Sequence, residues 1–233
     1  MEGYYKIAGL NVWMDTFGRT LEQAKPYRCA PTEPDIRIES HWQILQQQQP
    51  HLSAEDSEYL STGGSFYRQL LKHDGMLLHS SAVAMDGKAY LFSASCGTGK
   101  STHTKLWLEK FGERAMMLND DKPALRLENG VWYAYGTPWS GKYDISANIG
   151  VPIAGIAMIE RGTENEIKPF GGAAAVFRLM EQTARPGDTE SRIKILELLD
   201  KLLTMVPVWK LRCNMDPEAA IVSYETMSGR RKE

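Results

Sequence analysis

Residues Ala94-Ser95-Cys96-Gly97-Thr98-Gly99-Lys100-Ser101 follow directly on the apolar run Ala89-Tyr90-Leu91-Phe92, and beyond them Leu106, Trp107 and Phe111 recur at helical spacing. A buried strand, a glycine-rich turn and a helix are predicted in that order. Such a unit collects anions. The N–H groups of the turn and of the helix N-terminus converge on anionic oxygens, and the helix dipole favours the same charge. The Gly-x-Gly-Lys-Ser pattern adds Lys100 to reach the β/γ-phosphates and the Ser101 hydroxyl to ligate Mg²⁺. The full pattern opens on Gly, whereas this chain has Ala94, which serves there if its φ is negative. The expectation is a P-loop triphosphate site formed by Ser95, Cys96, Gly97, Thr98, Gly99, Lys100, Ser101 and Thr102, with ATP and Mg²⁺ as its cofactors.

Phosphoryl transfer also needs a carboxylate near the metal, commonly at the end of a neighbouring strand. Residues 115–121, Ala-Met-Met-Leu-Asn-Asp-Asp, form an apolar run that ends in Asp120 and Asp121 about one helix after the turn. Adjacent carboxylates on an extended chain point in opposite directions, so one suits Mg²⁺ and the other an acceptor hydroxyl. Taken without the turn, Asn-Asp-Asp-Lys-Pro would instead close a hairpin into Ala124-Leu125-Arg126-Leu127.

A chain of 233 residues with a net charge of −2 accommodates one large domain and gives no electrostatic reason for nucleic acid or anionic membrane partners. Cys29, Cys96 and Cys213 are widely spaced and without metal-ligand pairing, which suits free thiols in a reducing compartment. Cys96 inside the turn is either a small spacer or a thiol whose modification blocks the site. The N-terminus lacks the basic-then-apolar order of a signal peptide, and no apolar stretch reaches the ~20 residues of a membrane span. A soluble, cytoplasmic protein is expected.

The first fifty residues suggest short β segments and turns, with Ile7, Leu10, Val12 and Met14 as one apolar set and Ile36 and Ile38 alternating with charges. Gln46 to Gln49 before Pro50 marks a surface turn or an element end. Phe66, Leu70 and Leu71 give helical spacing up to Lys72. A hairpin is predicted from Leu77 to Ala84, through Asp86-Gly87, to Lys88–Ser93. Further strands are predicted at 131–135, 153–159 and 206–211, and helices at 172–183, 189–204 and 217–226. The tail Arg230-Arg231-Lys232 suits a solvated end.

His79, the hairpin, the turn and Asp120-Asp121 together resemble the C-terminal catalytic domain of HPr kinase/phosphorylase. They resemble especially the stand-alone HPr-kinase-like proteins found beside peptide-modification genes. The nucleotide half of ATP-dependent phosphoenolpyruvate carboxykinase is a more distant relative. The resemblance is strongest over residues 76–142, and Val206-Pro207-Val208 and the last helix share it. It implies an α/β fold with a mixed, bent sheet flanked by helices: one P-loop kinase-like domain, 1–233, with a β-rich part at 1–75 and a catalytic core at 76–233. It implies that Lys100 contacts the phosphates, that Ser101 and Asp120 ligate Mg²⁺, and that Asp121 is the base. The order of the two aspartates stays open. His79 would stand near phosphates and acceptor, although by itself a histidine at a strand end is more often structural. Homo-oligomeric rings of subunits are also implied.

The segment Gly136-Thr137-Pro138-Trp139-Ser140-Gly141-Lys142 is a constrained loop after a strand. Either it presents Ser140 and Lys142 to a phosphate with Trp139 on a base or peptide, or Trp139 plugs the core and Lys142 is solvated. Arg161, Arg178 and Arg185 are candidate phosphate clamps among which the sequence does not choose. A separate N-terminal domain and the family segment associated with phosphorolysis are not recognisable. The expectation is therefore an ATP-dependent phosphotransferase without phosphorylase activity, acting on a serine or other hydroxyl of a protein, peptide or metabolite. The alternatives are a nucleotide-binding regulatory protein and a carboxykinase-like enzyme.

Overall fold

The apolar set at Ile7, Leu10, Val12 and Met14 builds an antiparallel pair, β1 (Glu2–Ile7) and β2 (Leu10–Asp15), joined at Ala8 (φ 51) and Gly9 (φ 76). The computed structural model describes residues 1–229; the basic tail singled out above lies outside them. β3 (Ile36–Ile38) runs parallel to β2 and completes a three-stranded sheet. Two helices occupy stretches expected to be strands and turns, α1 (Gly18–Ala24) and α2 (Trp42–Gln48). α2 buries none of its residues, so it left no apolar period to read, and the glutamine run is its end. α3 (Ala54–Leu70) starts at Ser53, whose hydroxyl accepts from the Asp56 N–H at 3.0 Å, and Glu55 and Asp56 sit in the dipole-favoured first turn.

Nine strands form the main sheet. These are β4 (Gly75–Leu77), β5 (Ser80–Met85), β6 (Lys88–Ser93), β7 (Ala115–Asn119), β8 (Ala124–Glu128), β9 (Val131–Tyr135), β10 (Gly150–Arg161), β11 (Glu166–Pro169) and β12 (Val208–Cys213). They pair in the order β4-β8-β9-β10-β6-β5-β7, with β12 also on β10 and β11 on β12. β10 bends the sheet. Its first residues pair antiparallel with β9, and after a register shift at Ile153/Gly155 the remainder runs parallel to β6 and β12. The sheet is thus mixed and curled, with helices on both faces. The Asp86-Gly87 turn has φ of 51° and 73°, the left-handed pair that a tight hairpin requires. Asn119 to Pro123, in contrast, closes no hairpin, because β8 pairs with β4 and β9 rather than with β7.

Period-two alternation sorts the two faces. Val83, Met85, Tyr90, Phe92, Ala157 and Ile159 pack under α4 (Lys100–Phe111) and α7 (Glu218–Met227). Ala82, Ala84, Leu91, Ile156 and Met158 pack under α5 (Gly172–Met180) and α6 (Thr189–Met205), with Leu179, Leu198 and Leu202. Burying each large side chain contributes about 1.5–3 kcal/mol. A third core joins the N-terminal sheet to α3, and it holds Trp139 from the loop after β9. There Glu58 is fully buried and accepts from the hydroxyls of Thr16 and Thr20.

Candidate active site

Strand registers bring the chemistry-bearing residues to one edge of the sheet. β6 ends at Ser93 opposite Ser80, the first residue of β5, and β7 ends at Asn119 opposite Ala82. β10 runs parallel to β6 with Met158 opposite Ser93, and continues to Arg161. His79 before β5, residues 94–99 after β6, Asp120-Asp121 after β7 and Arg161 at the end of β10 therefore meet.

The turn has φ 74 at Gly97 and φ 126 at Gly99, conformations in which a Cβ is strained. Ala94 is not among the residues with positive φ, the condition for its replacing glycine. α4 starts at Lys100 with no side-chain cap at Gly99. Ser95, Cys96 and Thr102 are exposed, and Ser101 is half-buried. Lys100 is buried and its Nζ donates to the Ala94 carbonyl at 3.1 Å. Burial pulls the Lys100 pKa down, opposed by the charges of Asp121, Cys96 and Asp120. The lysine and both aspartates thus share one electrostatic site.

The two carboxylates part as adjacent side chains on an extended chain should. Asp120 is buried; its Oδ1 accepts from Ser81 Oγ at 2.7 Å, and Ser81 Oγ lies 2.9 Å from Thr104 Oγ1 on α4. Asp121 turns the other way, its Oδ1 3.1 Å from His79 Nε2 and its Oδ2 2.5 Å from Lys122 Nζ. Burial alone would raise the Asp121 carboxyl, but the His79 hydrogen bond and the Lys122 ammonium outweigh it and bring it down to about 2. Asn119 Oδ1 accepts from the N–H groups of Asp121 and Lys122 at 3.0 and 2.7 Å, which fixes the corner that separates the carboxylates.

His79 is held twice by Gln182. Its N–H donates to the Gln182 carbonyl at 2.7 Å, and its Nδ1 lies 3.1 Å from Gln182 Oε1. Nothing in the sequence marked Gln182, which follows α5 at a distance of 103 residues from His79. Ser81, Thr104 and Lys122 were equally unmarked; the Asn before the Asp pair was the one local cue, since that side chain favours turns of this kind.

The Gly136–Lys142 loop divides between core and site. Trp139 stacks on Phe66 at 4.9 Å and donates to Thr62 Oγ1 at 3.2 Å. Ser140 is buried and Lys142 is exposed beside Tyr143, so the core-plug alternative holds. Thr137 and Gly141 reach the site: Asn119 Nδ2 donates to the Thr137 carbonyl at 3.1 Å, and a Cβ on Gly141 would stand 2.5 Å from Asp121 Cβ. Of the three candidate arginines, Arg161 donates to the turn carbonyls of Gly97 (2.6 Å) and Thr98 (3.3 Å). Arg178 lies in the same crevice, 3.7 Å from Glu160, and Arg185 stands on a separate cleft.

The family described as SynChlorMet cassette protein ScmC matches residues 59–218, a span that contains His79, the turn, both aspartates and Gln182. The chain belongs to the ScmC family. The ScmC match begins within α3, so the N-terminal sheet lies outside it. Among solved structures, the HPr(Ser) kinase/phosphatase from Coxiella burnetii aligns at a TM-score of 0.38 and 9% identity, over 66% of this chain and 95% of that one. Comparison with curated proteins gives no match. Among the described residues no helix is long and apolar enough to cross a membrane.

Proposed function

We propose that this ScmC-family chain is a Mg²⁺-dependent, ATP-using kinase that transfers the γ-phosphoryl group to a serine or other hydroxyl. One observation carries the reading: the strand registers bring buried Lys100, which opens the helix after a turn with two glycines at positive φ, to the same end of the sheet as Asp120 and Asp121, which follow β7. In this reading residues 95–102 are the phosphate-binding loop. The N–H groups of the turn and of α4 cradle the phosphates, and Lys100 leaves the Ala94 carbonyl to meet the β/γ oxygens.

Ser101 and Asp120 are the residues to hold Mg²⁺. Asp120 is directed toward α4 through Ser81 and Thr104, which faces it to the helix that carries Ser101. Among the described residues no group of three or more His, Cys, Asp or Glu forms a closed metal site. A single carboxylate and a hydroxyl fit an ion that keeps waters and takes phosphate oxygens. Mg²⁺ would supply charge neutralisation on the phosphates.

Asp121 receives the acceptor hydroxyl. Each carboxylate oxygen has two lone-pair directions, so the bonds to His79 and Lys122 leave room for a further donor. Phosphoryl transfer through a loose transition state relies on positioning and charge rather than on a strong base, which accommodates a carboxylate held at about 2. The test is transfer of label from γ-labelled ATP, with Mg²⁺, to serine-bearing peptides, HPr and free serine. Label on an acceptor, abolished in Lys100→Ala with the fold intact, is expected; ATP binding without label on any of them would sink the reading.

A further inference from the structure

A cleft of about 750 Å³ opens between α2, α3 and residues 184–188. Three of its wall residues are chain neighbours of the carboxylate–imidazole cluster. Leu77 stands two residues before His79, Lys122 follows Asp121, and Ala184 lies two residues after Gln182. The cleft thus abuts Asp121, while none of the turn residues 95–101 lines it. Its volume is in the upper part of the ~300–1,000 Å³ range that buries a drug-sized ligand, which suits several residues of a peptide better than one amino acid.

Its charge selects the occupant. Arg68 and Arg185 stand on its walls and neither forms an ion pair with a described residue. Lys122 is neutralised by Asp121. Asp188, the one carboxylate among the described wall residues, is turned to its own helix, where it accepts from the Ser191 N–H at 2.7 Å. Two exposed guanidinium groups without an ion pair among the described residues are left on its walls, Arg68 at the side it shares with the neighbouring Glu190 and Glu197. We propose that this cleft is the acceptor site and that the acceptor is an acidic peptide, with its hydroxyl directed at Asp121 and its carboxylates at Arg68 and Arg185. The inference rests on the phosphoryl-transfer reading above.

Gly64 makes it testable. It lies on α3 one turn before Arg68 and lines the cleft, and nothing lies within 4 Å of where its Cβ would stand. Its φ is outside the left-handed region, so a large residue fits the helix and takes up the cleft. Removing a mid-helix glycine relieves rather than strains the fold.

The experiment measures fluorescence anisotropy of a short fluorescein-labelled peptide, with aspartates on both sides of one serine, against its asparagine counterpart, on the full chain. The acidic peptide is expected to bind about tenfold tighter at low salt, a margin that closes at high ionic strength. Arg68→Glu combined with Arg185→Glu should erase the preference. Gly64→Trp should lose about tenfold or more in binding of the acidic peptide, with thermal midpoint and ATP affinity held, and Lys100→Ala should bind peptide as the wild type does. Equal affinity for the two peptides, binding of neither, or wild-type binding by Gly64→Trp overturns the proposal. Acidic-peptide binding without transfer from ATP would defeat the kinase reading and leave the cleft standing; transfer to both peptides at equal rates would do the reverse.

Discussion

Asp121 carries two cationic or proton-donating partners on its two oxygens, His79 and Lys122, and is ionised far below neutral pH. A group so stabilised is a poor base but a well-fixed hydrogen-bond acceptor, and its value to the reaction is orientation. Asp121→Asn keeps the shape and removes the charge. Its expected effect is a fall of about 10²-fold in kcat for transfer, with ATP affinity nearly unchanged; a variant that turns over normally would remove Asp121 from the chemistry. Gln182 acts one step further out, since its carbonyl accepts the main-chain N–H of His79 and its Oε1 lies 3.1 Å from the imidazole Nδ1. Gln182→Ala should lower kcat by about ten- to a hundredfold, as for other groups that orient an imidazole through its second nitrogen, with the KM for ATP held. Imidazole ¹⁵N shifts supply the readout a general loss of packing would not give: the His79 ring-nitrogen shifts should move in the variant and those of the other histidines should not.

The β6–turn–α4 element is where the sequence was most legible. Glycine spacing, the apolar run and the helical spacing after it are all local properties, and they left little freedom of assignment. Gly97 and Gly99 have open space where a Cβ would stand, so alanine there clashes with nothing and meets only the backbone strain of positive φ. Each Gly→Ala change should cost about 1–2 kcal/mol in urea unfolding, with a larger loss in ATP affinity because the N–H groups no longer converge. A stability loss without any loss of affinity would separate the turn from nucleotide binding. β9, β10 and α5 to α7 were legible for the same local reasons. The strand after α6 begins at Val208 rather than at 206, because Val206 still donates to Leu202 and ends the helix. α1 and α2 were not legible: seven residues give fewer than two turns of period, and α1 opens at a glycine with φ 51. Least legible was the supporting shell of the site. Gln182, Ser81 and Thr104 reach it through pairings between distant segments, which no residue spacing encodes.

At the scale of the whole molecule, the N-terminal part of the chain is tied to the candidate site. Arg19 of α1 donates to the Gly141 carbonyl and pairs with Asp144 at 2.6 Å, and Tyr59 OH accepts from the Gly141 N–H at 3.0 Å. Those contacts press the loop against Asp121, although α1 lies outside the span shared with the family. The core beneath the first turn of α4 imposes a pH limit on this assembly. His103 is buried against Phe92 and Ser223, and desolvation lowers its pKa from 6.5 to about 4. Above pH 6.5 it is neutral folded and unfolded, and favours neither. As pH falls from 6.5 toward 4 the unfolded chain takes up a proton that the folded chain refuses, and stability declines by an amount on the order of 3 kcal/mol. Glu58 works against this, since burial raises its carboxyl pKa and the folded state takes up its proton more readily as pH falls. The two are separable by difference. Urea unfolding between pH 7 and pH 4 should show the wild type losing stability relative to His103→Gln, with the gap opening below pH 6.5 and levelling off near pH 4. Parallel curves for the two proteins would place the His103 proton in the folded core, in conflict with its burial.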